Sequence, residues 1–139
     1  MSRDRATRAV IERRKARLAK FALSLPEVEQ ADMGDHVGFS LRKTRFAWIL
    51  DNHHGDDRVA LNSKAERGTN SALIETHPDR FHMPKYVGKQ GWIGLWLDLP
   101  TCDLTEAEGL LRDAWRLAAP KRLLSEGDAG AAGKPRRSR

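Results

Sequence analysis

From Trp92 onward the chain alternates. Ile93, Leu95, Leu97 and Leu99 fall on one side of an extended strand, and Trp92, Gly94, Trp96 and Asp98 fall on the other. The aliphatic side demands a core, so the chain must build a sheet with a packed layer against it. The other side carries two indoles flanking a glycine, with Tyr86 and Lys89 on the approach. Such a face is either a second packing layer or a contact surface, and Tyr86, Trp92 and Trp96 are its candidate contact residues.

Periodicity places the neighbours of this strand. Leu18, Phe21, Ala22 and Leu25 recur at helical spacing, Ile11 extends the stripe and Pro26 stops it, which predicts a helix over residues 5–25. Its first half is mostly charged, with Val10 and Ile11 available for burial, and is expected to project from the core. Val37, Phe39 and Leu41 alternate with Gly38, Ser40 and Arg42, and Lys43-Thr44 is expected to turn the chain. Phe46, Trp48 and Leu50 then alternate with Ala47 and Ile49, giving a strand apolar on both faces and therefore central. The polar run 51–57 leads to a third strand through Val59 and Leu61, ending near Lys64. Short connections between three sequential strands imply an antiparallel meander. A short helix is expected over 69–76, a proline-bounded loop over 78–85, and a last helix from a Thr105/Glu108 capping box to Ala119, ended by Pro120. The fold class is α+β: an antiparallel sheet, made of a three-strand meander plus one or two later strands, packed with N- and C-terminal helices.

A chain of 139 residues suits one domain. The reading divides it into a basic helical extension over 1–17, an α+β domain over 18–124, and a Gly/Ala/Ser-rich basic tail over 125–139 that is expected to be disordered. The net charge of +6 would suit a polyanionic partner, but residues 1–20 alone carry +6 and residues 125–139 carry +2, which leaves −2 for the middle of the chain. A basic patch on the body must therefore come from folding and not from composition. A single cysteine, Cys102, excludes an internal disulfide, no apolar run is long enough to span a bilayer, and the N-terminus lacks a secretory apolar segment. The expected compartment is the cytoplasm.

The polar run holds Asp51, His53, His54, Asp56 and Asp57, but in no metal-binding spacing, and reads as a solvated turn. Cys102 reads as an inert loop thiol. No nucleophile elbow, phosphate-binding loop or dinucleotide fingerprint is present, so no catalytic residue, metal or cofactor is assigned and a non-enzymatic role is expected. What remains is basic. Arg42, Lys43 and Arg45 flank the first hairpin, Lys64 ends the third strand, and Lys85 and Lys89 precede the tryptophan strand. Hairpins with basic tips can act as wings on a nucleic-acid groove, gripping phosphates. The other reading is a protein- or peptide-interaction domain that docks its partner on the aromatic face or an edge strand.

Several segments resemble the MmcQ/YjbR family of small bacterial proteins: Phe-Ala-Leu-Ser-Leu-Pro-Glu-Val-Glu at 21–29, Gly-Phe-Ser-Leu-Arg-Lys-Thr-Arg-Phe-Ala at 38–47, Asp-Asn-His-His-Gly-Asp-Asp-Arg-Val-Ala-Leu at 51–61, Asp-Arg-Phe-His-Met-Pro-Lys-Tyr-Val-Gly at 79–88, Gly-Trp-Ile-Gly-Leu-Trp-Leu-Asp at 91–98, and Ala-Trp-Arg-Leu-Ala-Ala-Pro-Lys-Arg-Leu at 114–123. The resemblance spans residues 18–124. It implies an α+β fold with an antiparallel sheet, and DNA binding through a double-wing arrangement of hairpins. It supplies no catalytic residues. The chain departs from the family pattern at Asn62-Ser63, where an apolar or cysteine-containing pair is expected before the lysine.

Overall fold

A computed structural model of the chain describes residues 5–85 and 87–125. The Thr7 hydroxyl accepts from the Val10 amide and opens helix α1 (Arg8–Leu23). A four-strand meander follows: β1 (Val28–Met33), β2 (His36–Leu41), β3 (Thr44–Asp51) and β4 (Val59–Ser63). Helix α2 (Thr69–Thr76), the two-residue β5 (Phe81–His82), β6 (Ile93–Trp96) and helix α3 (Leu104–Ala118) complete the chain. The six strands form one antiparallel sheet in the order β1-β2-β3-β4-β6-β5. The expected α+β class is therefore the observed one. Among the described residues no helix is long and apolar enough to cross a membrane.

One face of the sheet supplies Phe39, Leu41, Ile49, Leu61, Ile93 and Leu95 to the core, against Ile11, Leu18 and Ala22 of α1 and Ala107, Leu111, Ala114 and Trp115 of α3. These side chains account for most of the apolar burial that holds the domain together. The Trp115 indole donates to the Pro26 carbonyl at 3.0 Å, so α3 is tied to the exit of α1.

Several expectations need correction. Residues 28–33 pair as a strand although they carry no apolar alternation, because β1 is an edge strand with all six residues half-buried or exposed. Part of the expected loop 78–85 pairs as β5, through backbone bonds that need no sequence pattern. The first hairpin turns at Arg42 and Lys43, one residue earlier than read, with both residues at positive φ as a two-residue hairpin requires. A bulge beside Phe39 breaks the alternation of β3, so Phe46 joins Ala47 and Ile49 in the core instead of facing with Trp48. The cap of α3 is Asp103, which accepts from the amides of Thr105 and Glu106, while Glu108 binds Arg17 across the helix interface.

The charged first half of α1 does not project. Ile11 is 3% exposed, and α1 runs unbroken through residue 17. Arg8 and Lys15 both bind Asp51, and the Arg14 guanidinium donates to the carbonyls of Leu97 and Leu99 at 2.6 and 2.8 Å. Residues 1–4 and most of the expected tail lie outside the described residues.

Candidate functional site

The antiparallel register gives the sheet two ends. The loop end carries the β3–β4 connection, and the turn end carries the Arg42–Lys43 turn, the exit of β4 and the loop into β6.

At the loop end the cations are spent on acids of the same domain. Asp51 takes Arg8 through both oxygens, at 2.6 and 3.0 Å, and Lys15 at 2.9 Å. Burial pushes the Asp51 carboxyl up, but these two cations outweigh it and hold it below the ordinary aspartate value. Asp98, 3% exposed, receives both Arg58 nitrogens at 2.8 and 2.9 Å and the Val59 amide at 3.0 Å. Burial again works against ionisation there, and Arg58 with the Val59 amide again wins. Arg80 pairs with Glu106 at the same end.

The turn end is different. Lys43 occupies the hairpin tip, and Lys64 follows β4, its amide donating to Phe46. Lys64 lines a groove with Asp113, Arg116 and Leu117 of α3, while Arg67 and Lys89 line a second hollow beside it. Arg42 is paired with Glu27 through two bonds of 2.7 and 3.1 Å, and the charge of Arg122 also acts on Glu27. Lys43, Lys64, Arg67 and Lys89 make no ion pair among the described residues. Four of the six basic residues singled out from sequence, Arg42, Lys43, Lys64 and Lys89, therefore gather at this end.

The other two turn onto the sheet face opposite α1 and α3. The Arg45 guanidinium lies over the bare Cα of Gly38 and 4.3 Å from the Trp48 ring centre, so it is drawn away from the hairpin tip. Lys85 reaches the rim of a pocket of about 260 Å³ on that face, whose floor is Leu50, Ala60 and Trp96. None of its lining residues belongs to α1, α2 or α3. The aromatic residues do not act as one surface. Trp92 is buried, and its carbonyl accepts from Asn70 of α2; Trp96 is half-buried and lines the pocket; Tyr86 lies outside the described residues.

Sequence reading missed this pocket. Asn62, Gly94 and His82 stand in register on adjacent strands. Gly94 has no side chain, so the His82 imidazole lies flat across β6, where a Cβ would overlap it, and stacks on Trp96 at 3.8 Å. Arg58 lies 3.6 Å from the Trp96 ring centre. Burial, helped by the Arg58 charge, pushes the His82 imidazole down to about 4, so it is neutral at pH 7. The departure from family pattern at Asn62 was the available signal.

His53 and His54 touch at the pocket rim, with His36 edge-on to His53, yet among the described residues no group of three metal-ligating side chains is placed to hold an ion. Burial raises the Cys102 thiol, and the charged groups acting on it are Arg14, Asp98, Asp103 and Glu106.

Comparison with known proteins adds the fold and the family. The crystal structure of Deinococcus radiodurans protein DR2400, assigned to the DUF419 domain family, is similar with a TM-score of 0.63 at 18% identity, covering 82% of this chain and 87% of that one. At that identity the likeness concerns the fold. Among curated proteins no match is found. The YjbR family model matches residues 23–117, from the end of α1 almost to the end of α3, and the chain belongs to the YjbR family.

Proposed function

We propose that this chain is a non-enzymatic DNA-binding protein that grips the phosphate backbone with the turn end of its sheet. The observation that carries the reading is the unequal use of cations. The loop end binds its arginines internally, whereas Lys43, Lys64, Arg67 and Lys89 converge without ion pairs on one end. Sheet spacing puts the β2–β3 turn roughly 12 Å from β6, a reach of about three to four phosphates along one strand. Four cations of this kind suit phosphate oxygens first, so the expected binding is chiefly to the backbone.

Neutralising about four phosphates gives a salt slope near −3.6, a loss on the order of 100-fold in affinity between 50 and 200 mM salt. Fluorescence anisotropy with a labelled duplex at the two salts measures it. Lys43→Glu weakens binding about tenfold, while Arg13→Glu, the same single charge reversal on the exposed side of α1, changes it little. Equal losses from the two variants would reduce the interaction to net charge and overturn the reading. Charge reversal is the proper test here, because deleting residues 1–20 would also remove the buried Ile11 and Leu18.

A further inference from the structure

The pocket on the open sheet face contains two polar groups that the fold leaves unused. Asn62 is 7% exposed, and its Oδ1 is buried without a hydrogen-bond partner. His82 Nδ1 is likewise buried and unpartnered. Buried polar atoms are almost always met by a partner, and here Asn62 and His82, each carrying an unmet one, line the same cavity. The loss of a side chain at Gly94 brings the pair together, since it lets the imidazole lie down toward Asn62.

The cavity's shape narrows the ligand. Its volume is below the range that takes drug-sized molecules, so it suits a single ring system and not a length of peptide. Leu50 and Ala60 offer an apolar floor beside Trp96, whose ring faces are taken by His82 and Arg58, Met83 with Pro84 forms a wall, and His53, His54 and Asp56 complete the lining. A flat ring therefore fits, provided its edge carries both a donor and an acceptor. A carboxamide such as Asn62 matches that edge in two-point fashion, as it does on adenine. Lys85 at the rim adds a positive charge outside the apolar part, which calls for an anionic substituent on the ligand.

We propose that this pocket binds a nucleobase carrying a phosphate, with Asn62 and His82 on the base edge and Lys85 on the phosphate. The base can come from a free mononucleotide or from an unpaired position in a strand. The site is separate from the turn end and stands independently of the DNA-binding reading.

The full-length chain is titrated with AMP, GMP, CMP and UMP, with the matching nucleosides, and with inorganic phosphate, by calorimetry and tryptophan fluorescence. At least one nucleotide binds saturably. Asn62→Leu, which keeps the side-chain size, weakens it about tenfold by removing a buried hydrogen bond. Lys85→Gln weakens the nucleotide about fivefold and leaves the nucleoside unchanged. His82→Phe keeps the stack on Trp96 but loses Nδ1; it gives a second readout should Asn62→Leu fail to fold. Competition by a short single-stranded oligonucleotide assigns the base to a strand, and lack of competition assigns it to the free nucleotide; either result supports the pocket. Lys89→Glu leaves mononucleotide binding intact, so failure of the turn-end reading is seen separately. The proposal is overturned by the absence of saturation below about 10 mM for all four nucleotides, by phosphate binding as tightly as they do, or by Asn62→Leu and His82→Phe both binding like the parent protein.

Discussion

At the loop end of the sheet, Asp51 and Asp98 are buried carboxylates whose oxygens are filled by Arg8, Lys15, Arg58 and a backbone amide. At the turn end the ion pair of Arg42 with Glu27 is solvent-facing, and four further cations beside it make no ion pair among the described residues. The same residue types thus do different work. Where the carboxylate is buried, the cation is a structural element; at the turn end, Lys43, Lys64, Arg67 and Lys89 make no ion pair among the described residues. The middle section of the chain has a net charge of −2, so the cations of the turn end come from placement by the fold and not from composition.

The largest consequence falls on stability at the loop end. Asp98→Ala strands the Arg58 guanidinium, of which 19% of the side chain is exposed, and the Val59 amide. Removing one partner of a buried pair costs about 3 kcal/mol, measurable by urea unfolding. A loss of only a few tenths would mean that the loop end is as solvated as the turn end, and the contrast between them would vanish.

Acid sharpens the same contrast. His82 is pushed from 6.5 to about 4, so between those values the unfolded chain takes up a proton that the folded chain refuses. Stability therefore falls as pH drops through that window, by on the order of 3 kcal/mol, and His82→Phe flattens this limb. Asp51 and Asp98 act lower. Their folded values are depressed, so their contribution is complete above the ordinary aspartate value near 4 and is lost as pH falls through the folded values. Asp98→Asn reduces the second limb and leaves the first. Thermal melts from pH 7 to pH 2.5 separate them, and an unchanged upper limb in His82→Phe would place the acid-sensitive group elsewhere.

How much of this was open to sequence reading depends on what each element relies on. α1, α3, β2, β3, β4 and β6 are held by apolar side chains at regular spacing, and periodicity finds them. β1 relies on backbone pairing at an edge, and β5 on two residues paired to β6; neither leaves a side-chain pattern. Charge patterning along α1 looked like a solvated arm because Arg8, Arg14 and Lys15 also find partners as far as 85 residues away. The bulge beside Phe39 is equally silent, yet it moves Phe46 into the core and accompanies the turning of Arg45 onto Trp48. The open-face pocket left one signal, the departure from family pattern at Asn62, and nothing more, because Asn62, Gly94 and His82 meet only through the register of β4, β6 and β5.

A smaller effect tests single residues at the turn end. Lys43→Ala, at the hairpin tip, weakens duplex binding about threefold and lowers the steepness of the salt slope by about 0.9, the contribution of one phosphate. Since Lys43 makes no ion pair among the described residues, the melting temperature of the variant stays at the parental value. A changed affinity with an unchanged slope would move the contact away from phosphate.

The smallest effect runs in the opposite direction. Glu27 is an acid at the turn end, where Arg42 is bonded to it and the Arg122 charge acts on it. Its carboxyl is held below the ordinary range chiefly by the hydrogen bonds from Arg42, so it is fully ionised at neutral pH. If the turn end meets phosphates, this acid opposes them. Glu27→Gln keeps a side chain that can still accept from Arg42 and removes the negative charge, which raises duplex affinity about twofold at low salt. The gain shrinks toward nothing at 200 mM salt, because exposed charges are screened within about 8 Å. The urea midpoint does not move, since both partners are solvent-facing. Anisotropy titrations of the variant at two salts read the change. A loss of affinity would show that Glu27 serves to orient Arg42 for contact, and the turn end would then be an organised site in which acid and cation work together.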